Sequence, residues 1–309
     1  MRAMVSTEFG DTEVLSLQDV PRPEPLPTEV LVRVHAAGVN PADAKVRAGL
    51  WPVLGQPPFI LGWDVSGVVE QVVGVTRFKP GDEVYGMPLF PRAASAYAEY
   101  VAAPARQFAR KPANLDHTQA AAVPLAGLTA LQALVDAGEL KQGQRVLIHA
   151  AGGGVGHFAV QIAKALGAYV IGTASTDKRD FVSSLGADEV IDYRSADFEH
   201  SVSDIDVVLD TVGNGYGERS LRVLRHGGVL VTIVGVGDKE LEGHAQAAGR
   251  RLAPIMVEPD GAGLERLSGW IEAGLVTPHV QAVYPLQDAA AAHKAIAGGV
   301  AGKLVLATI

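Results

Sequence analysis

The chain of 309 residues contains no cysteine. Disulfides, thiol nucleophiles, cysteine-ligated zinc and iron–sulfur clusters are thereby excluded, whatever the compartment. Aromatic residues amount to 6% and charged residues to 19%. Long apolar runs are missing too: the most apolar stretch, residues 120–135, is interrupted by Pro124, Gly127 and Gln132. Basic residues are in deficit, 26 Lys and Arg against 34 Asp and Glu, for a net charge of −8. That balance argues against nucleic acid or an anionic membrane surface as a partner, so any anion site must be local. The opening MRAMVSTEFGDTEV has no apolar core and turns acidic early. The expectation is a cytoplasmic, non-membrane protein.

What is present is ordinary globular composition, 48% hydrophobic with 35 Gly and 18 Pro spread along the chain. At roughly 150 residues per domain the length suggests two domains. Up to about Lys111 the sequence runs in short alternating segments punctuated by Pro and Gly, such as VLVRVH (30–35) and VSGVVE (65–70), and reads as β-rich. PRPEPLPTE (21–29) cannot be a central strand, because proline lacks the N–H donor, and reads as an extended connector. From about Thr118 the pattern changes to a helical stretch through Val135, then strands and helices in alternation. Strands are expected at 145–150, 169–173, 189–193, 206–212, 229–234 and near 254–257, followed by a helix ending at Gly274, a strand at 280–284, an Ala-rich helix from Asp288 and a last strand at 303–308. Buried β-branched runs separated by helix-length segments are the signature of a doubly wound parallel sheet, so the fold class is α/β.

RVLIHA (145–150) runs directly into AGGGVG (151–156) and then into a helix-like segment ending at Leu166. A pyrophosphate needs backbone N–H groups at a helix N-terminus with no side chain in the way, which Gly153 supplies along with Gly154 and Val155, while Gly156 permits close packing of helix on strand. Ala151 occupies the first glycine position, a mild departure from the dinucleotide-binding fingerprint. About 20 residues on, where an NAD site places an acid for the ribose 2′-hydroxyl, the chain reads GTASTDKR (172–179). Neutral Ser175 stands near the expected acid, and Lys178 and Arg179 follow within reach of a 2′-phosphate. Cations at a helix start oppose the helix dipole, which favours a functional reading of them and points to NADPH.

Other oxidoreductase and hydrolase signatures are absent. No Tyr-x-x-x-Lys follows any of the seven tyrosines, no Gly-x-Ser-x-Gly occurs, and the nine histidines show no metal-ligand spacing. A thiol-free dinucleotide protein with no evident metal site would most simply pass hydride to an acceptor that is already electrophilic, such as an activated alkene or a quinone.

The segments AGVNPADAK (37–45), GWDVSGVV (62–69), GDEVYG (81–86), GLTA (127–130), the Gly-rich loop, SLGAD (184–188) with IDY (191–193), and GKLVL (302–306) resemble, in this order, the medium-chain dehydrogenase/reductase superfamily. The resemblance spans nearly the whole chain and is strongest to the zinc-free quinone oxidoreductase (zeta-crystallin-like) branch and its alkenal/one oxidoreductases. It implies a GroES-like domain formed by 1–117 and 259–309 and a Rossmann domain formed by 118–258. In the zinc alcohol dehydrogenases of the superfamily, metal ligands lie where this chain has Asn40 and Trp63, and a hydroxyl proton relay lies where it has Ala42, so no metal site is expected. The resemblance places Asn40 beside the nicotinamide ribose, Thr129 near the nicotinamide, and Val234, Gly235 and Val236 against the carboxamide. It places Tyr193 at the adenosine and Lys303 at the pyrophosphate. Lys45, where many quinone oxidoreductases carry Tyr, is a candidate cation for charge developing on a carbonyl oxygen, or a solvent-facing helix lysine. Trp51, Trp63, Met87 and Leu89 are candidate lining for the acceptor pocket, or simply core.

The function these readings imply is NADPH-dependent, zinc-independent hydride transfer to the C=C bond of an enone or enal. NADPH:quinone reduction at the same site and a catalytically silent NADPH-binding sensor remain as alternatives. The resemblance also implies a homodimer, because the last Rossmann strand, near 254–257, leaves an edge that the superfamily commonly pairs across a two-fold axis.

Overall fold

The computed structural model describes residues 1–234 and 237–308. They form two compact units, one of Met1–Leu128, Glu258–Ala273 and the chain from Pro278 onward, the other of Thr129–Val257 with Gly274–Thr277. Among the described residues no helix is long and apolar enough to cross a membrane.

The first unit is built on a seven-stranded sheet and a smaller three-stranded one. Its central strand, Glu29–Val39, is long enough to serve several partners: Val65–Val72 pairs along one edge, while Tyr100–Pro104 and Lys303–Ala307 share the other, all antiparallel. Its burial, complete at Val30, Val32, Val34, Ala36, Ala37 and Val39, shows a strand enclosed on both faces toward its end. The C-terminal strand enters this sheet in a register that sets Leu304 opposite Val39. Lys303 therefore falls one step beyond, level with Asn40, where the central strand stops. The segment 20–28 has no regular structure, as expected for its prolines.

The second unit carries a six-stranded parallel sheet in the spatial order Glu189–Asp192, Tyr169–Ala174, Arg145–Ile148, Ile205–Asp210, Leu224–Thr232, Arg251–Pro254. In sequence order that is 3-2-1-4-5-6, the doubly wound arrangement in which the direction of winding reverses beside the first strand. The α/β class with a Rossmann sheet and a β-rich partner unit is what the structure shows.

Two local expectations need correction. The helical stretch 118–135 is not one helix: it divides into His117–Ala121, Pro124–Leu131 and a wider π-type turn over Gln132–Ala137. Pro124 has no N–H for the preceding turn and restricts the residue before it, so the first helix must end there. The last sheet strand lies at Arg251–Pro254 rather than near 254–257, and its ladder with Leu224–Thr232 ends at Pro254 opposite Thr232.

Candidate functional site

In the second unit the Gly-rich segment forms the turn between strand Arg145–Ile148 and helix Gly154–Ala165, with Gly153 as the N-terminal cap in extended conformation. Ala150 takes a left-handed φ of 49°, and its carbonyl accepts from Gly153 N–H at 2.8 Å. The loop is closed around that carbonyl: a Cβ on Gly156 would lie 2.2 Å from Ala150 O and 2.7 Å from Ala151 Cα. No side chain fits there. The departure at Ala151 has a structural reason, since Gly172 on the neighbouring strand makes room for its methyl group; a Cβ on Gly172 would come within 2.8 Å of Ala151 Cβ. Gly153, Gly154 and Val155 are half-buried, whereas Ala151 and Gly156 are buried. The loop thus presents backbone N–H groups of the helix start on one open side, a cradle suited to a pyrophosphate.

The ends of strands Tyr169–Ala174 and Glu189–Asp192 bring the other expected residues together. Ser175 is buried directly after the first strand, and its hydroxyl helps hold the Asp177 carboxyl below the usual range, aided by Arg194 and Lys178. Asp177 meets Arg194 Nη1 at 3.4 Å, so its charge is answered locally. The Lys178 stem runs past the Gly-rich loop: a Cβ on Gly152 would lie 3.2 Å from Lys178 Cδ. Arg179 is exposed at the start of helix Arg179–Ser184. Tyr193 is 44% exposed, its N–H bound to Ala174 O at 3.2 Å, with the Arg194 guanidinium 5.8 Å from its ring.

Val234 is fixed by Thr232, whose hydroxyl donates to Val234 O at 2.6 Å. Gly235 and Val236, expected at the carboxamide, lie outside the described residues. Thr129 is buried on helix Pro124–Leu131. His149, which has no metal-ligand spacing in the sequence, is buried with Nδ1 facing Thr173 Oγ1 at 3.3 Å and Nε2 facing Ser220 Oγ at 3.0 Å. Burial lowers its pKa to about 3, so it is a neutral brace beneath the loop.

In the first unit a second polar cluster surrounds Asn40, the N-terminal cap of helix Pro41–Arg47. Asn40 Nδ2 donates to Asp64 Oδ2 at 2.8 Å, and Asn40 Oδ1 accepts from Lys303 Nζ. Lys303 spends its remaining donors on Val39 O at 3.1 Å and Asp64 Oδ2 at 3.3 Å. Asp64 Oδ1 takes the N–H of Leu125 at 2.6 Å, near the start of helix Pro124–Leu131. Gly38 leaves space for this carboxylate, since a Cβ there would stand 2.5 Å from Asp64 Oδ2. Asn40, Asp64 and Lys303 are all at most 3% exposed. These partners fix which way the Asn40 amide faces, and among the described residues Asp64 is the one acceptor bonded to Nδ2, so its second hydrogen can donate to a ligand. Lys303, expected at a pyrophosphate, has its three N–H groups turned to Val39, Asn40 and Asp64.

Lys45 is exposed on the same helix, and its carbonyl accepts from Leu50 N–H at 2.9 Å and Trp51 N–H at 3.2 Å, anchoring the loop that carries Trp51. Trp51 and Trp63 meet at a tilt with ring centroids 6.1 Å apart, and Phe90, which has no signal in the sequence, completes the cluster at 5.9 Å and 5.0 Å. Trp63 is fully enclosed and donates from Nε1 to Arg92 O at 2.8 Å; Met87 is likewise enclosed. Trp51 and Leu89 are half-buried, and Leu89 holds a left-handed φ of 63° with its N–H on Gln107 Oε1.

The family profile described as zinc-binding dehydrogenase matches residues 185–306, and that of the alcohol dehydrogenase GroES-like domain matches 26–113. A quinone oxidoreductase of Pongo abelii is 34% identical over 99% of this chain and 97% of its own length. A chloroplastic NADPH-dependent alkenal/one oxidoreductase of Arabidopsis thaliana is 36% identical over 91% of this chain and 72% of its own. Among solved structures, a quinone oxidoreductase from Coxiella burnetii superposes with a TM-score of 0.95 at 37% identity, covering 100% of this chain and 99% of that one. The profile's zinc does not fit the residues found here. Among the described residues no three His, Cys, Asp or Glu side chains converge as a metal cage, and at Asn40 and Asp64 the oxygens already surround the Lys303 ammonium.

Proposed function

The chain belongs to the medium-chain dehydrogenase/reductase superfamily and is an oxidoreductase, and from that premise we propose that it reduces the C=C bond of enones and enals with NADPH. The observation that carries the reading is the Asn40 amide, oriented by Asp64 and Lys303 so that one N–H is left to donate. When bound, NADPH supplies a hydride.

The residues divide the remaining work. The N–H groups of Gly154, Val155 and Gly156 at the helix start suit the pyrophosphate, with Ala151 tucked beneath; Gly153 contributes the absence of a side chain rather than a donor, because its own N–H is spent on Ala150 O. Ser175, Lys178 and Arg179 suit a 2′-phosphate: a neutral residue replaces the acid that would repel it, and the lysine stem already lies along the loop. Tyr193 offers an exposed ring to the adenosine, while Thr129, Val234, Gly235 and Val236 take the nicotinamide end. Asn40 donates to the ribose or to the acceptor carbonyl. Hydride addition at the β-carbon places negative charge on that oxygen, and Asn40 Nδ2–H with the Lys45 ammonium stabilises it before water protonates the α-carbon.

Quinone reduction at the same site is the second reading, favoured by the aromatic cluster of Trp51, Trp63 and Phe90, of which Trp51 and Phe90 are partly exposed, and by the names of several relatives. A homodimer belongs to the same reading, since Arg251–Pro254 is the outermost strand of its sheet and Met256 beyond it is 49% exposed. The test is NADPH or NADH oxidation against a panel of a simple enone, an enal and a small quinone. Oxidation with the enone supports the proposal, oxidation with the quinone alone moves the protein to the second reading, and binding of NADPH without oxidation leaves the silent sensor.

A further inference from the structure

Behind Asn40 runs a file of buried polar side chains that the chemistry above does not use. Arg47 Nε donates to His293 Nδ1 at 3.3 Å, and Arg47 Nη1 donates to Gly10 O at 2.8 Å and Asp11 Oδ1 at 3.3 Å. An arginine can only donate, so His293 Nδ1 accepts and the proton of the neutral ring sits on Nε2. Burial keeps the ring neutral, lowering its pKa to about 4. His293 Nε2–H then donates to the Tyr97 hydroxyl at 3.2 Å, whose own hydrogen goes to Asp43 Oδ2 at 3.1 Å. The same oxygen accepts the backbone N–H of Asn40 at 2.8 Å. Every hydrogen bond in the file therefore points one way, from Arg47 to Asp43. The other carboxylate oxygen, Asp43 Oδ1, is buried and has no hydrogen-bond partner among the described residues.

Asp43 is fully buried. The groups acting on it directly are Asn40, the cap of its own helix, Asp64 ahead of strand Val65–Val72, Tyr97, and Lys303 on its strand; His293 on helix Ala289–Ala297 and Arg47 reach it only through Tyr97. Burial pushes its carboxyl up to about 7, with the Asp64 charge adding to the rise and Asn40 N–H, Lys303 and Tyr97 opposing it. With Asp43 neutral, the Lys303 ammonium and the Asp64 carboxylate balance. With Asp43 ionised, a second negative charge stands beside Asn40.

We propose that Asp43 is a positioning residue for hydride transfer, holding the Asn40 backbone and, in its neutral form, keeping extra negative charge away from the oxygen that Asn40 serves. This rests on the reading of Asn40 given above. The proton taken up sits on Oδ1, because Oδ2 already receives two donors. Tyr97, His293 and Arg47 act through Asp43, fixing where its carboxyl lies.

Two readouts test this. In an infrared titration of the apoprotein, a protonated-carboxyl band that disappears as the pH rises through neutrality is expected in the wild type and absent in Asp43→Asn. In single-turnover oxidation of NADPH by a simple enone, the wild-type rate should fall roughly tenfold above neutral pH, and Asp43→Asn should stay at the acid-side rate throughout. Tyr97→Phe removes a donor that favours the ionised form, so its falling limb should move to higher pH. A limb that persists in Asp43→Asn, or stays in place in Tyr97→Phe, overturns the proposal. A wild type whose band titrates normally but which reduces no acceptor overturns the reading of Asn40 instead, and the proposal falls with it at that separate arm.

Discussion

Lys303 and Asp64 lie 239 residues apart in sequence and meet as an enclosed ion pair, Nζ to Oδ2 at 3.3 Å, with side-chain exposures of 3% and 0%. Such a pair contributes little net stability against an apolar substitute of both partners, yet removing one partner strands the other. Lys303→Met should therefore destabilise the first unit by about 3–5 kcal/mol in urea unfolding. Because Lys303 also orients the Asn40 amide, turnover should drop in the fraction that stays folded. A loss near zero would contradict the pair as described.

Lys178→Ala should weaken NADPH far more than NADH. A charge-assisted hydrogen bond to a 2′-phosphate is worth roughly 1.5–3 kcal/mol, so the preference should shift by about tenfold or more. Titration of both cofactors into the variant measures it. Equal losses would mean that Lys178 serves the loop at Gly152 alone.

Lys45 is exposed, and among the described residues its carbonyl is bonded by Leu50 and Trp51. Lys45→Ala keeps that backbone and removes the ammonium, so kcat should fall by about tenfold while NADPH affinity stays constant. Unchanged kcat with an enone would remove Lys45 from the mechanism.

Buried histidines make the fold sensitive to acid. His149 and His293 have pKa values lowered by burial to about 3 and about 4, below the unfolded value near 6.5. Between those values and 6.5 the unfolded chain binds protons that the folded chain refuses. The stability these two histidines contribute should be complete above about pH 6.5 and decline as pH falls toward 4, while Asp43, whose carboxyl burial raises to about 7, opposes them by binding a proton in the folded chain over the same range. His293→Gln should lower the wild-type slope by about one proton. Denaturant midpoints from pH 4.5 to 7.5 give this slope directly.

The Gly-rich loop was readable because everything it needs is consecutive: strand, turn glycines and helix lie within 145–165, and only the neighbouring Gly172 had to be found in space. Alternation of strands and helices likewise carried the sheet class. The Asn40 cluster was legible only in part. Asn40 and Lys303 were singled out through family resemblance, but their joining acid, Asp64, has no local signal, because its partners sit 24, 61 and 239 residues away. Asp43 reads locally as a helix-capping acid, and nothing in the spacing announces Tyr97 and His293, 54 and 250 residues on, the first bonded to it directly and the second through Tyr97. Phe90 was hidden for the same reason, in a loop with no periodicity. Apolar content over 118–135 suggests one helix, but Pro124, whose missing N–H cannot serve the preceding turn, decides the break.

The most direct measurement follows deuterium from the nicotinamide C4 of labelled NADPH into the product of a simple enone. Charge stabilised at the carbonyl oxygen by Asn40 predicts a saturated ketone with the label on its β-carbon. An allylic alcohol labelled at the former carbonyl carbon would contradict it, since that product requires the carbonyl rather than the C=C bond to receive the hydride.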